Sequence, residues 1–250
     1  MYKENCSNHR QDIIDNFKPA ELINSFFSQE EVEQILLLQF QSAHRIKWTD
    51  TSNNIQAVCD IDTLFKKMPV LDEKFKEVIG DYEDTHTGNY YITTKLHDAH
   101  VDLMTEDETE RPEFHWAKNV IPYKSVVIPL LISSEADAWT AYFRQRHIGN
   151  SITLDRVGIS SQLNSDYRIA RQYPEFYTLG ESINADDYIF PHIPKENLEG
   201  LEIESVFEFI PGSIMLFDSC QIHASCVTRK SPNYKWLKSG INIQFYRRIN

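Results

Sequence analysis

His100 and Asp102 are separated by one residue, Val101, and a further histidine, His223, stands far downstream. In extended chain, side chains two residues apart lie on one face, so an imidazole and a carboxylate at this spacing can bind one ion together. A second imidazole from a remote strand completes three ligands on one side of the metal. That is the 2-His-1-carboxylate arrangement, which leaves neighbouring positions on an iron open for chemistry. An aspartate in this place also serves as a turn residue, here toward Leu103 and Met104.

Nine histidines are available, and His97 competes most directly. His97 and His100 form a His-x-x-His pair that converges on a helix. The preceding run Tyr90, Tyr91, Ile92, Thr93 and Thr94 is aromatic and β-branched, which favours strand. In a strand His97 faces away from His100, so the expectation is His100 as ligand and His97 on the opposite face. The segment Cys220-Gln-Ile-His223-Ala-Ser-Cys226 has the spacing of a three-ligand zinc site. Strand alternation turns both thiols away from His223 and makes them small buried fillers.

These groups need elements to position them. Ser28-Gln29-Glu30-Glu31 is a capping box that starts a helix carrying Val32, Ile35, Leu36 and Gln39. A second helix is expected over residues 72–79, with Phe75, Val78 and Ile79 as its apolar stripe and Gly80 ending it. Short β-branched or aromatic runs follow at 90–94, 125–132, 139–143, 205–210, 213–217, 221–227 and 240–246. Residues 1–80 thus read as an N-terminal helical support and 82–248 as a barrel core, within a single domain spanning 1–250. The polar, proline-interrupted stretch 147–200 reads as an insertion over a site. Helices first and strands afterwards give a mainly β fold with supporting helices.

Three segments resemble the iron(II) and 2-oxoglutarate-dependent dioxygenases, the superfamily that includes prolyl hydroxylases and phytanoyl-CoA hydroxylase. Tyr90 to Asp102 is similar to the strand and turn that present the family's His-x-Asp. Pro211-Gly212-Ser213 to Asp218, leading to His223, is similar to its Pro-Gly-Asp strand before the distal histidine. Lys238 to Tyr246 is similar to its last barrel strand, which opens on the basic residue that binds the cosubstrate. The resemblance implies a double-stranded β-helix, a cupin-like jelly roll. It implies Fe(II) held by His100, Asp102 and His223, with 2-oxoglutarate as cosubstrate and O2 as oxidant. It further implies that Lys238 pairs with the distal carboxylate of 2-oxoglutarate, with Arg229, Lys230 and Lys235 as competitors. Tyr91, or its neighbour Tyr90, would donate a hydroxyl to the same group. The expected reaction couples decarboxylation of 2-oxoglutarate to hydroxylation of a C–H bond. With Asp102 present, halogenation is not expected, since related halogenases replace this carboxylate by a small residue.

Composition narrows the partners. A formal charge of −12 disfavours a phosphate-tracking surface, so the expected substrate is a small molecule or amino-acid derivative rather than nucleic acid. Four cysteines and an N-terminus without an apolar run point to a reduced, cytoplasmic setting, and no apolar stretch approaches membrane-span length. Oligomeric state is left open. Gly-x-Ser-x-Gly, Walker and Gly-x-Gly-x-x-Gly patterns do not occur. The alternative from another class is a non-catalytic cupin-like barrel that binds or senses a ligand.

Overall fold

Alternation along the strands divides the molecule into layers. In the computed structural model, residues 15–41, 47–48, 54–82, 84–94, 96–101, 120–133, 137–147, 176–178, 190–198, 200–228 and 237–248 are described; Asp102 and Arg229, Lys230 and Lys235 lie outside them. Seven strands form one antiparallel sheet. In spatial order they are β1 (Glu21–Ile23), β9 (Ile214–Asp218), β5 (Val120–Ile132), β11 (Lys238–Arg248), β4 (Asp84–Thr93), β3 (Asn54–Cys59) and β2 (Lys47–Trp48). The second sheet places β10 (Gln221–Cys226) against β6 (Trp139–His147), which pairs on its other side with β8 (Ile203–Glu208) and β7 (Phe176–Thr178).

Every second residue of the large sheet faces the N-terminal helices: Val126, Ile128 and Leu130 of β5, Ile214 and Leu216 of β9, and Ile241, Ile243 and Phe245 of β11. The intervening positions Met215 and Phe217 turn inward and meet Tyr142 of β6 and Phe209 between the sheets. On the small sheet, Ala141, Phe143, Cys220, Ile222, Ala224 and Cys226 face outward under Ile193 and Leu198. Two sheets with a shared interior and helices on one side are the jelly roll expected from the sequence.

Helix α1 (Gln29–Gln41) begins as the capping box requires: the Ser28 amide donates to Glu31 (2.7 Å) and the Glu31 amide to the Ser28 hydroxyl (3.2 Å). Helix α2 (Ile61–Lys67), which periodicity missed because it is only two turns long, is capped by Asp60 accepting from the Thr63 amide at 3.0 Å. Helix α3 (Val70–Ile79) starts earlier than expected because Pro69 sets its entry, and buries Leu71, Phe75 and Ile79 at i, i+4 and i+8. The N-terminal support is therefore not helical alone, since β1 and β3 add strands to the large sheet. Within the expected insertion, β7 and the short helix α4 (Lys195–Leu198) are described. Among the described residues no helix is long and apolar enough to cross a membrane.

Phe75 is fully buried and touches the rings of Phe26, Phe27, Phe65 and Phe245, joining α2, α3 and the turn before α1 to β11. Phe75→Ala should lower stability by about 3–5 kcal/mol, read as a shifted midpoint in urea unfolding.

Candidate functional site

After Thr93 the chain leaves the β4 ladder and crosses to the small sheet. There His100 pairs with His223 of β10 in an isolated antiparallel bridge, each amide donating to the other's carbonyl at 3.0 Å. Directly opposed residues project their side chains to one side, and the two imidazole centres stand 4.3 Å apart at 51°. Each Nδ1 is engaged by a carbonyl two residues back: His100 by Asp98 (2.6 Å) and His223 by Gln221 (3.1 Å). A carbonyl can only accept, so both imidazoles are held as the Nδ1–H tautomer, which leaves Nε2 as the metal-binding nitrogen.

The fit to a metal can be judged from this geometry. Two imidazoles bound at right angles through nitrogens about 2.1 Å from one ion place their ring centres about 4.6 Å apart; the observed separation is close to that value. The ring of His223 is held by two aromatic neighbours, stacked on Tyr142 (5.7 Å, 22°) and tilted against Phe217 (4.7 Å). A two-imidazole corner of this kind suits a first-row metal.

His97 corrects the expectation drawn from strand alternation. It lines the same cavity as His100 rather than the opposite face, because residues 96–98 follow the end of the ladder and period two no longer applies. Its ring centre lies 6.1 Å from that of His100, wider than a right-angled pair of ligands, and packs edge-on to Tyr91. The His97 carbonyl accepts from the Ser225 amide (3.0 Å) and from His192 Nε2 (2.9 Å), tying this turn to β10 and to the segment before α4.

The cavity holds about 220 Å³ and is lined by Asn89, Tyr91, His97, His100, Val127, Thr140, Phe209, His223, Ser225, Lys238 and Asn242. Lys238 opens β11, as expected, and alternation carries Lys238 and Asn242 inward while Ile241 and Ile243 join the helix-side core. Its ammonium donates to the Ser225 hydroxyl (3.2 Å) and sits over the Phe209 ring at 5.3 Å. Burial pushes the Lys238 pKa down to about 8, because a desolvated ammonium is costly until an anion accompanies it. Tyr91, not Tyr90, faces the cavity; Tyr90 is buried on the helix side. The outward position of Cys220 and Cys226 in the apolar layer removes them from His223's side, and burial pushes the Cys226 thiol up to about 12. Among the described residues no group of three metal-binding side chains occurs.

Some site residues escaped sequence reading. Ser225 was reachable by stepping two residues from His223, and Asn89 by stepping back from Tyr91. Phe209 lies just past β8 and carries no local signal of its contact with Lys238. Tyr142 stands beside His223 and Arg146 opposite Gln221, both outside the cavity lining, while Arg144 pairs with Glu202 at the surface.

No protein-family model and no curated protein matches the chain. Solved structures do. The non-heme α-ketoglutarate-dependent carbocyclase SnoK from nogalamycin biosynthesis matches at 10% identity, covering 99% of this chain and 86% of that one, with a TM-score of 0.50. HygX from Streptomyces hygroscopicus, with nickel and 2-oxoglutarate bound, matches at 14% identity over 96% and 86% of the two chains, TM-score 0.48. A Pseudomonas putida prolyl-4-hydroxylase matches at 9% identity over 95% and 97%, TM-score 0.46. At such identities the likeness is one of fold: the chain has the double-stranded β-helix architecture of SnoK.

Gly240 lies opposite Tyr91 in the β4–β11 ladder, and a Cβ there would stand 2.6 Å from both the Tyr91 hydroxyl and the Ile128 carbonyl. The ring of Tyr91 crosses β11 where there is no side chain to block it. Gly240→Ala should therefore cost about 1–3 kcal/mol by overpacking, measured by chemical denaturation, and should cost more than Tyr91→Phe.

Proposed function

We propose that the protein is an Fe(II)/2-oxoglutarate-dependent oxygenase that hydroxylates a C–H bond of a small molecule or amino-acid derivative in the cytoplasm. The observation that carries this reading is the backbone-bridged pair His100–His223, both imidazoles set in the Nδ1–H form, in one cavity with the buried ammonium of Lys238. The fold supports it, and the free buried thiols Cys59, Cys220 and Cys226 fit a reducing compartment.

His100 and His223 would hold the iron through Nε2, and Asp102 is assigned as the third ligand from its His-x-Asp spacing. Iron with 2-oxoglutarate and O2 supplies oxidative C–H chemistry, the cosubstrate leaving as succinate and carbon dioxide. The protein's own residues do the rest. Lys238 pairs with the distal carboxylate as a point charge, oriented by Ser225. Tyr91 offers its hydroxyl at the same end. Phe209 and Val127 wall the cavity with apolar surface that keeps water from the reacting groups. A cavity of this size takes a small molecule in preference to a folded partner.

Anaerobic addition of Fe(II) and 2-oxoglutarate should give a visible charge-transfer band, which a plain binding barrel lacks. Asp102→Ala should abolish succinate release, whereas His97→Ala should leave iron binding largely intact; the reverse pattern would mean that the wrong imidazole has been assigned.

The protonated form of Lys238 is the one that binds a carboxylate. In the free protein its protonated fraction falls as pH rises through about 8. The Kd for 2-oxoglutarate, followed through the same band, should be flat below that pH and rise up to tenfold per unit above it. Lys238→Arg, charged throughout, should remove the dependence, and Lys238→Ala should weaken binding at every pH.

A further inference from the structure

Behind His223, on the side away from Lys238, four charged side chains are buried together: Arg146, Glu204, Asp218 and Lys124. Arg146 has no exposed side-chain surface. It donates to Glu204 (3.0 and 3.3 Å), Asp218 (3.3 Å) and the carbonyls of Lys18 (2.9 Å), Arg144 (2.7 Å) and Phe143 (3.3 Å). Lys124 pairs with the other oxygen of Asp218. Such a cluster is a poor device for stability, since apolar residues of equal volume commonly serve as well or better.

Its placement points to another use. Around residues 143–145 of β6 the register slips against both neighbours, between Gln221 and His223 on one side and at Tyr142/Phe143 on the other. A bulge leaves carbonyls without ladder partners. The Phe143 carbonyl is met by Arg146 and by the side chain of Gln221, at 2.9 Å from Nε2. That same Gln221 amide donates to Glu204 at 2.7 Å, and Glu204 also accepts from Arg146 and the Ala20 amide. Gln221 is thereby clamped by its side chain, and its backbone carbonyl is the acceptor for His223 Nδ1.

We infer that Arg146, Glu204 and Gln221 form a positioning relay that fixes the Gln221 carbonyl and, through it, the tautomer and aim of the His223 imidazole. None of the three touches a reacting atom. The inference rests on the reading that His223 binds metal. The Nδ1 of His100 is engaged elsewhere, by the carbonyl of exposed Asp98. The relay therefore acts on one imidazole of the pair.

The test uses the full chain loaded with cobalt(II), without cosubstrate or substrate. An imidazole bound through Nε2 keeps its Nδ1–H, which gives an exchangeable, strongly shifted proton resonance. Wild type should show two such signals. In Gln221→Met one should shift or be lost to solvent exchange while the other stays, and cobalt affinity should fall on the order of tenfold. Glu204→Gln, which keeps an acceptor oxygen toward Gln221, should perturb the same signal less, and it carries the test if Gln221→Met does not fold. Phe75→Ala, destabilised on the helix side, should leave both signals in place, separating positioning from general loss of stability. Unchanged signals and affinity in the Gln221 and Glu204 variants would overturn the relay. Fewer than two signals in wild type would instead overturn the metal reading beneath it.

Discussion

The reciprocal pair of hydrogen bonds between the His100 and His223 backbones is the constraint on which the site depends. One histidine lies on a turn that has left the large sheet and the other on a strand of the small sheet, so their spacing cannot be set by local chain geometry. Two short backbone bonds do set it, because opposed residues in an antiparallel bridge must present their side chains together. The bridge also closes the two sheets over one another at that point, joining the cavity and the fold in a single contact. The Ser225 amide bond to the His97 carbonyl extends the same pairing by a further step.

The interior between the sheets is not uniform. Tyr142, Phe217, Met215 and Phe209 form an apolar middle that locks the ring of His223. On one side lies the polar cavity with Lys238, Asn242 and Asn89; on the other, the neutral cluster of two cations and two carboxylates around Arg146. Each polar zone is kept by hydrogen bonds made to strands and turns already held in register. Helix α1 contributes at a distance. Buried Gln39 donates to the Tyr91 carbonyl (3.3 Å) and accepts from the Ser239 hydroxyl (2.9 Å), tying together the two strands that carry Tyr91 and Lys238.

Much of this was legible in the residues. Alternation on β11 separated Lys238 and Asn242 from Ile241, Ile243 and Phe245, and alternation along β10 separated His223 from Cys220 and Cys226, because the register shifts in these ladders place their extra residues on the partner strands rather than on β10 or β11. The same rule misplaced His97, where the ladder had already ended after Thr93. Helix α2 and strand β3 were missed because their apolar patterns are too short to stand out. The Arg146 cluster was beyond reach for a different reason: its four members come from four separate strands, and only folding brings them together. Asp102 rests on its sequence spacing alone, since it lies outside the described residues.

X-ray absorption at the iron edge of the anaerobic Fe(II) protein measures the central arrangement most directly. Two imidazole ligands with nitrogens at about 2.1 Å, the remaining shell being oxygen, is the result the His100–His223 corner predicts. A sulfur scatterer, or a shell with fewer than two imidazoles, would contradict it.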